Sequence, residues 1–152
     1  MVRMEYEHAQ RGRLTLLTAG FLILIGAIAL PGLYTEEPIS ALILLGAILV
    51  IVATVIVFNR LTVTVDANEV AARFGWGWPK RVIAFHEIAA VRQVRNKWIY
   101  GWGSRWIPGG WMFNVWGRDA VEIDLTTGSK FRIGTDQPEE LLAAFPVQLI
   151  RT

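Results

Sequence analysis

Few residues of this chain could carry acid–base or metal chemistry. His86 stands next to Glu87, and the only other histidine, His8, lies beyond a long apolar stretch of sequence. A histidine-based zinc site needs several ligands close together, so a site built on these two residues is not expected. The chain has no cysteine, which excludes thiolate metal sites, iron–sulfur clusters and cysteine nucleophiles. We predict no metal and no cofactor, and we interpret His86 as a strand-end residue at a turn.

Nucleophilic catalysis and phosphate binding have no better support. A serine triad would combine Ser104 or Ser129 with His86 and a carboxylate, but no nucleophile-elbow pattern surrounds either serine. The glycine clusters at 75–78 and 101–103 lack the lysine and the following helix of a phosphate-binding loop. We interpret these clusters as turns beside bulky indoles, and we predict that the chain is not an enzyme.

Basic and aromatic residues are interleaved between Arg92 and Trp111, and no acidic residue occurs before Asp119 in this part of the chain. Indole rings favour the membrane interface, and Lys and Arg favour anionic leaflets. The pattern therefore predicts contact with lipid headgroups or with a membrane protein. The residues that we assign to this contact are Arg92, Arg95, Lys97, Trp98, Tyr100, Trp102, Arg105 and Trp106.

Two other interpretations of this segment stay open. In the first, several tryptophans fill or close a β-barrel while the arginines remain solvated. In the second, the same residue types bind single-stranded nucleic acid by stacking and charge. An adjacent membrane anchor makes nucleic acid the weaker candidate, and we do not expect it as a partner.

Two uncharged apolar stretches precede the segment and predict a membrane anchor. Residues 14–33 and 39–58 contain no Asp, Glu, Lys, Arg or His. As helices, such stretches span about 30 Å, the thickness of a hydrocarbon core. We predict a transmembrane helical hairpin over 14–58 with a turn at 34–38. A cleaved signal peptide is the alternative for the first stretch, but a second stretch follows it almost at once.

The distribution of basic residues predicts the orientation of this hairpin. Arg3, Arg11 and Arg13 precede the first helix and Arg60 follows the second, whereas the turn has only acidic charges. We therefore expect both termini to be cytoplasmic in a bacterial plasma (inner) membrane. Residues 1–13 would then form a short cytoplasmic segment.

Small residues predict close packing between the two helices. In an antiparallel hairpin, Gly26 would lie opposite Gly46 and Ala19 opposite Ala53. The alternative is that Gly and Ala are simply frequent in such helices. Since neither stretch contains an ionisable residue, a transporter is disfavoured.

Alternation with a period of two predicts a β-rich domain over 59–152. A hairpin turning at Ala67–Asn68 would pair Val65 with Val70 and Leu61 with Phe74 on one apolar face. Further strands are expected at 81–85, 89–95 and 111–115.

A second hairpin is predicted between 121–125 and 130–133. Its register would set Glu122 against Arg132 and Asp124 against Lys130, with these opposite charges on the outer face. A helix with Pro138 in its first turn, capped by Thr135 or Asp136, would then end the domain.

Several motifs of this domain resemble the bacterial pleckstrin-homology-like (PH-like) domains. They are Tyr100–Gly101, the sequence PGGWMFNV at 108–115, DAVE at 119–122 and FRIGTDQPE at 131–139. The resemblance covers roughly residues 59–145 and implies about seven antiparallel strands in a partly open barrel capped by one C-terminal helix. It also implies a membrane location and no established enzymatic activity. The phosphoinositide loop of eukaryotic relatives is not carried over, because the corresponding turn has acidic neighbours.

Together these observations predict a membrane-anchored, non-catalytic interaction module at the cytoplasmic face. Its partners would be membrane lipids, another membrane protein or a second copy of the chain. The alternatives are an accessory subunit of a larger membrane complex, and a small-ligand sensor or hydrolase that uses the mouth of the barrel.

Overall fold

A computed structural model describes residues 6–36 and 38–151 as an α+β fold. Residues 1–5 of the expected N-terminal segment, Glu37 of the expected turn, and Thr152 lie outside the described residues. In chain order the elements are β1 (Tyr6–Arg11), α1 (Arg13–Glu36), α2 (Pro38–Phe58), β2 (Arg60–Val65), β3 (Glu69–Phe74), β4 (Lys80–Ala84), β5 (Ile88–Arg95), β6 (Gly103–Ile107), β7 (Gly110–Asn114), β8 (Asp119–Leu125), β9 (Lys130–Gly134) and α3 (Pro138–Ala143).

The strands form two sheets around one core. The first has the order β1-β2-β3-β4 and the second the order β5-β8-β9-β7-β6. Phe74 of the first sheet packs on Phe113 of the second, with ring centroids 4.8 Å apart. All strand pairs are antiparallel except β7 with β9, which run parallel. The expected seven antiparallel strands thus differ from the nine described ones in number and in the direction of one pair.

Strand β1 is an element that the sequence analysis does not predict. It pairs with β2 in an antiparallel register that sets Arg11 opposite Arg60. Just beyond this pair, the amide of Gly12 donates a hydrogen bond to the carbonyl of Asn59, with N and O 2.8 Å apart. Residues 6–11 therefore belong to the same sheet as β2–β4, although two helices separate them from it in the chain.

Helices α1 and α2 pack against each other between β1 and β2. By length and composition, α2 is apolar enough to cross a membrane, whereas the apolar stretch of α1, Leu16–Gly32, is shorter. In α2 only Ala41 and Val55 are buried, so most of its apolar side chains face outward. α1 continues to Glu36, so most of the expected turn at 34–38 is helical.

The helix contact differs from the predicted pairing of small residues. Gly26 is buried, and a methyl group placed on it would overlap Cδ1 of Ile48. Gly46 is exposed and has no neighbouring heavy atom within 4 Å of such a methyl position. Ala19 is buried as expected, but Ala53 is exposed. The prediction that Gly26 faces Gly46 is therefore wrong: in α2 the residue that meets Gly26 is Ile48.

The registers of both predicted hairpins are confirmed. Val65 lies opposite Val70 and Leu61 opposite Phe74 in the first sheet. In the second sheet Glu122 lies opposite Arg132 and Asp124 opposite Lys130. The apolar residues of these strands enter the shared core, because a strand alternates its side chains between two faces.

Helix α3 closes one end of this core. Leu141 and, just after the helix, Phe145 are buried, and the ring of Phe145 lies 5.9 Å from that of Phe85. Pro138 occupies the first turn as predicted, but the capping position is Gln137 rather than Thr135 or Asp136. The hydroxyl of Thr135 instead accepts a hydrogen bond from the amide of Gln137 at 3.0 Å.

Candidate functional site

All seven tryptophans of the chain lie at the surface of the domain. Their exposed fractions range from 95% at Trp76 to 38% at Trp116. The core consists of Leu, Ile, Val and Phe side chains together with Met112 and alanines. The interpretation in which tryptophans fill the barrel is therefore wrong, and the exposed indoles need another explanation.

Two of these tryptophans lie in the turn between β3 and β4, beside the end of α2. The amide of Gly75 donates to the carbonyl of Arg60 at 2.8 Å. Any Cβ at Gly75 would lie 2.6 Å from the carbonyl oxygen of Val57 in α2. With φ at +44°, Gly75 also has a backbone conformation that glycine favours. The turn is thus pressed against the helix end and holds Trp76 and Trp78 in solvent there.

A second pair of indoles, Trp102 and Trp116, also lies near this helix end. Trp102 and the residues that follow it border a groove against Thr54, Val55 and Phe58 of α2. Trp102 stacks on Trp116, with ring centroids 6.2 Å apart and planes 12° apart. The carbonyl of Trp116 accepts a hydrogen bond from Gln10 near the end of β1.

We call this end of the domain the helix-proximal rim. It comprises the turn 75–79, residues 102–105, Trp116, and the paired Arg11 and Arg60 at the helix junctions. Like charges directly opposite each other on neighbouring strands are unfavourable, and Arg11 and Arg60 form such a pair. A nearby anionic surface would relieve this repulsion.

The residues predicted from sequence lie at several different places in the structure. Trp102 and Arg105 belong to the rim, and Trp98 and Lys97 border a shallow cavity beside Trp102 and Trp116. Trp106 is exposed but pairs with Trp111 near the β6–β7 turn, away from residues 102–103.

Arg92 and Arg95 have acidic partners, and Tyr100 lies beside a third arginine. Arg92 pairs with Glu122 and Asp124, and Arg95 lies 3.9 Å from Asp119. The ring centroid of Tyr100 is 6.0 Å from Cζ of Arg132. Arg92 and Arg95 therefore offer less free positive charge than the sequence pattern suggests.

Glu122 is the centre of an ion-pair cluster on the outer face of the second sheet. Its side chain is only 2% exposed, and it accepts hydrogen bonds from Arg92, Lys130 and Arg132. The predicted pairing of Glu122 with Arg132 is confirmed, and the carboxylate is buried because three cationic side chains cover it. Burial by itself would raise the pKa of Glu122, but the hydrogen bonds from Arg132 and Arg92 outweigh it and lower the pKa to about 2.

Sequence reasoning missed the rim residues Trp76, Trp78 and Trp116. The length of the first hairpin could have located Trp76 and Trp78. β2 and β3 each have six residues, so the residues that follow β3, beginning with Gly75, lie at the same end of the sheet as Arg60. The far end of this hairpin, about 20 Å away, carries Asp66 and Glu69. The sheet thus has basic residues at the helices and acidic residues at its far turn.

The residues considered for catalysis do not converge. His86 is exposed, and the Glu87 carboxylate accepts a hydrogen bond from the amide of Ala84 at 3.0 Å. His8 instead contacts Asp136, with Nε2 and Oδ1 2.7 Å apart. Within the described residues, no three His, Asp or Glu side chains are grouped so as to hold a metal ion.

The fold and the rim define an α+β protein with one helix long and apolar enough to cross a membrane. Comparisons of the chain with protein-family models, with curated proteins and with solved structures found no match.

Proposed function

We propose that this chain is a two-pass membrane-anchored interaction module whose β domain rests against the lipid headgroups at the cytoplasmic face. The observation that carries this proposal is the position of four exposed tryptophans around the junction between the apolar helices and the sheets: Trp76, Trp78, Trp102 and Trp116. Tryptophan is enriched at membrane–water interfaces because its ring is apolar and its N–H is polar. We propose a non-catalytic role for the module.

The pairing of β1 with β2 supports two crossings rather than one. Neighbouring strands of one sheet lie on the same side of a membrane, so the chain between Arg11 and Arg60 crosses an even number of times. If α2 crosses, α1 must cross as well. At 1.5 Å per residue, the 21 residues of α2 reach about 32 Å, enough for a hydrocarbon core, and the 24 residues of α1 reach about 36 Å, of which the apolar stretch Leu16–Gly32 covers about 26 Å.

The charges near the helix junctions support the cytoplasmic side. Arg11 and Arg60 flank the helix pair at the sheet, whereas Glu36 ends α1 at the opposite end. Basic residues next to transmembrane helices favour the cytoplasm. Arg105 of the rim would add attraction to an anionic leaflet, at about 1 kcal/mol for each basic residue near the surface.

Kinship with PH-like domains remains part of the proposal. Two sheets around one core, with a C-terminal helix at its end, support it. The parallel pairing of β7 with β9 and the additional strand β1 depart from the expected antiparallel barrel. The proposed function does not depend on this kinship, because it rests on the rim.

Depth measurement by spin labelling tests the proposal, since the chain has no native cysteine. Trp76→Cys places a label at the rim, and Asn68→Cys places one at the exposed far turn of the same hairpin. The full chain is reconstituted in bilayers containing phosphatidylglycerol. A membrane-soluble relaxation agent should reach the label at position 76, and a water-soluble agent should reach the label at position 68.

The matched positions make the outcome decisive. Both sites are exposed turn residues, so a difference between them reports the bilayer rather than the fold. Equal access of the water-soluble agent to both labels would show that the rim stands in water, and the proposal would fail.

A further inference from the structure

A groove separates the last turn of α2 from the beginning of β6. It has a volume of about 290 Å³ and is lined by Thr54, Val55 and Phe58 on one side and by residues 102–105 on the other. The helix side is apolar. The β6 side is formed by Trp102, Gly103, Ser104 and Arg105.

Arg105 is held at this groove with most of its hydrogen-bonding capacity unused. Its Nε donates to the backbone carbonyl of Trp102 at 3.0 Å, which ties the guanidinium to the beginning of β6. Within the described residues, no carboxylate forms an ion pair with Arg105. In the part of the chain that the structure describes, its two terminal nitrogens have no hydrogen-bond acceptor. A guanidinium fork of this kind matches a phosphate group.

The α2 side of the groove favours a ligand in which the phosphate is attached to an apolar chain. The hydroxyl of Thr54 donates to the carbonyl of Val50 at 2.8 Å and so adds no unpaired donor to the groove. Val50 and Ile51, one turn earlier in α2, are exposed and continue the apolar surface along the helix. A free phosphate ion would leave this wall in water, whereas a phospholipid would cover it.

We propose that the groove binds one phospholipid molecule, with its phosphate on Arg105 and an acyl chain against Val55 and Phe58 of α2. This inference rests on the proposed membrane location. It goes further by assigning a single lipid to a built site rather than describing general contact with a bilayer. The indole of Trp102 then lies between the headgroup and the chain, where one amphipathic ring can contact both.

Native mass spectrometry of the full chain with added phosphatidylglycerol tests this site. The wild-type chain should retain one lipid at collision energies that remove loosely bound lipid. Arg105→Gln removes the phosphate contact and should reduce the retained fraction about tenfold, as expected for loss of a charged hydrogen bond. Thr54→Trp fills the groove from the helix side and should reduce it as well.

Arg151→Gln is the matched control, because it removes one exposed positive charge at the C-terminal end of the described chain. It should retain the lipid like the wild type. If Arg105→Gln and Thr54→Trp also retain it, the groove is not a lipid site. If millimolar inorganic phosphate displaces the lipid completely, the site recognises only an anion, and the assignment to a phospholipid is wrong.

Spin labels at position 76 distinguish failure of this inference from failure of the proposed function. In the Arg105→Gln background, a label that stays in the interface while the lipid is lost supports both proposals. Unchanged lipid retention with an interfacial label overturns only the groove site. A wild-type label that stands in water overturns the proposed function, and the lipid site with it.

Discussion

Glu122 forms ion pairs with more residues than any other side chain in the described part of the domain. Its carboxylate is buried, and three cations from β5 and β9 donate to it. Asp124 shares two of these cations, Arg92 and Lys130. Removing the negative charge would leave Arg132, whose side chain is only 15% exposed, without a carboxylate among the described residues, whereas Arg92 and Lys130 would keep Asp124. Loss of one partner from a poorly solvated ion pair is costly.

Replacing this carboxylate by an amide should therefore destabilise the domain. We expect Glu122→Gln to lower the free energy of unfolding by on the order of 3 kcal/mol, which corresponds to a fall of roughly 10–20 °C in Tm. Thermal unfolding followed by circular dichroism in detergent measures the effect. Glu139→Gln, an exposed carboxylate in the first turn of α3, is the control and should change Tm little. Equal Tm values for the two variants would contradict the account of the cluster.

The pH dependence of this stabilisation has a definite sign. The pKa of Glu122 is lowered from 4.5 in the unfolded chain to about 2 in the folded one. The unfolded state therefore binds more protons between these values, and stability rises with pH across them. The difference in Tm between wild type and Glu122→Gln should be full above about pH 5 and should shrink as the pH falls toward 2. A difference that stays constant over this range would contradict the lowered pKa.

For this residue, the sequence predicted the partner in β9 but not the burial. Alternation along β8 and β9 was enough to set Glu122 opposite Arg132. The third strand, β5, brings Arg92 onto the same carboxylate, and no local pattern relates residue 92 to residue 122. The position of Trp76 was missed for a similar reason, since the preceding residue, Gly75, contacts Val57 in a different element.

At the scale of elements, the contact between α1 and α2 has an asymmetric arrangement of glycines. Gly26 is pressed against Ile48, whereas the position of a side chain at Gly46 is open. Gly26→Leu should therefore separate the helices and cost roughly 1–3 kcal/mol, and Gly46→Leu should be nearly neutral. Thermal stability in detergent compares the two variants. A cysteine pair at positions 26 and 48 should crosslink within one chain, and a pair at 26 and 46 should not. The opposite result would restore the pairing predicted from sequence.

Strand β1 makes a second prediction possible at this scale. Gly12 and Asn59 are hydrogen-bonded neighbours at the ends of β1 and β2. If residues 13–58 are deleted and Gly12 is joined directly to Asn59, a two-residue Gly-Asn loop connects the two paired strands. We expect this chain to fold without the helices. A fragment beginning at Asn59 lacks β1, exposes the edge of β2, and should associate or unfold at a lower temperature. Size-exclusion chromatography and circular dichroism compare the two chains. Identical behaviour would mean that β1 contributes nothing to the sheet.

Elements were predictable where the chain is locally regular. The two hairpins have clear alternation and short turns, so both registers followed from sequence. β1 is short and largely polar, and its partner lies beyond both helices. β6 contains Gly, Ser and Arg in place of an apolar face, and it lies at the edge of its sheet. Such strands are fixed by their neighbours rather than by their own sequence.

At the scale of the whole molecule, the β1–β2 pair links the fold to the membrane topology. It brings the beginning of α1 and the end of α2 to one place, and the rim tryptophans surround that place. A chain crossing once would carry β1 and β2 to opposite sides and could not form this sheet. If either helix crosses the membrane, both must therefore cross.

Thiol labelling in intact cells tests this requirement most directly. Thr35→Cys places a thiol at the end of the helix pair farthest from the sheets, and Ser129→Cys places one in the β8–β9 turn. A membrane-impermeant reagent should label position 35 in intact cells and position 129 only after the cells are permeabilised. Protection of position 35, or labelling of position 129 in intact cells, would contradict the two-pass anchor with a cytoplasmic domain.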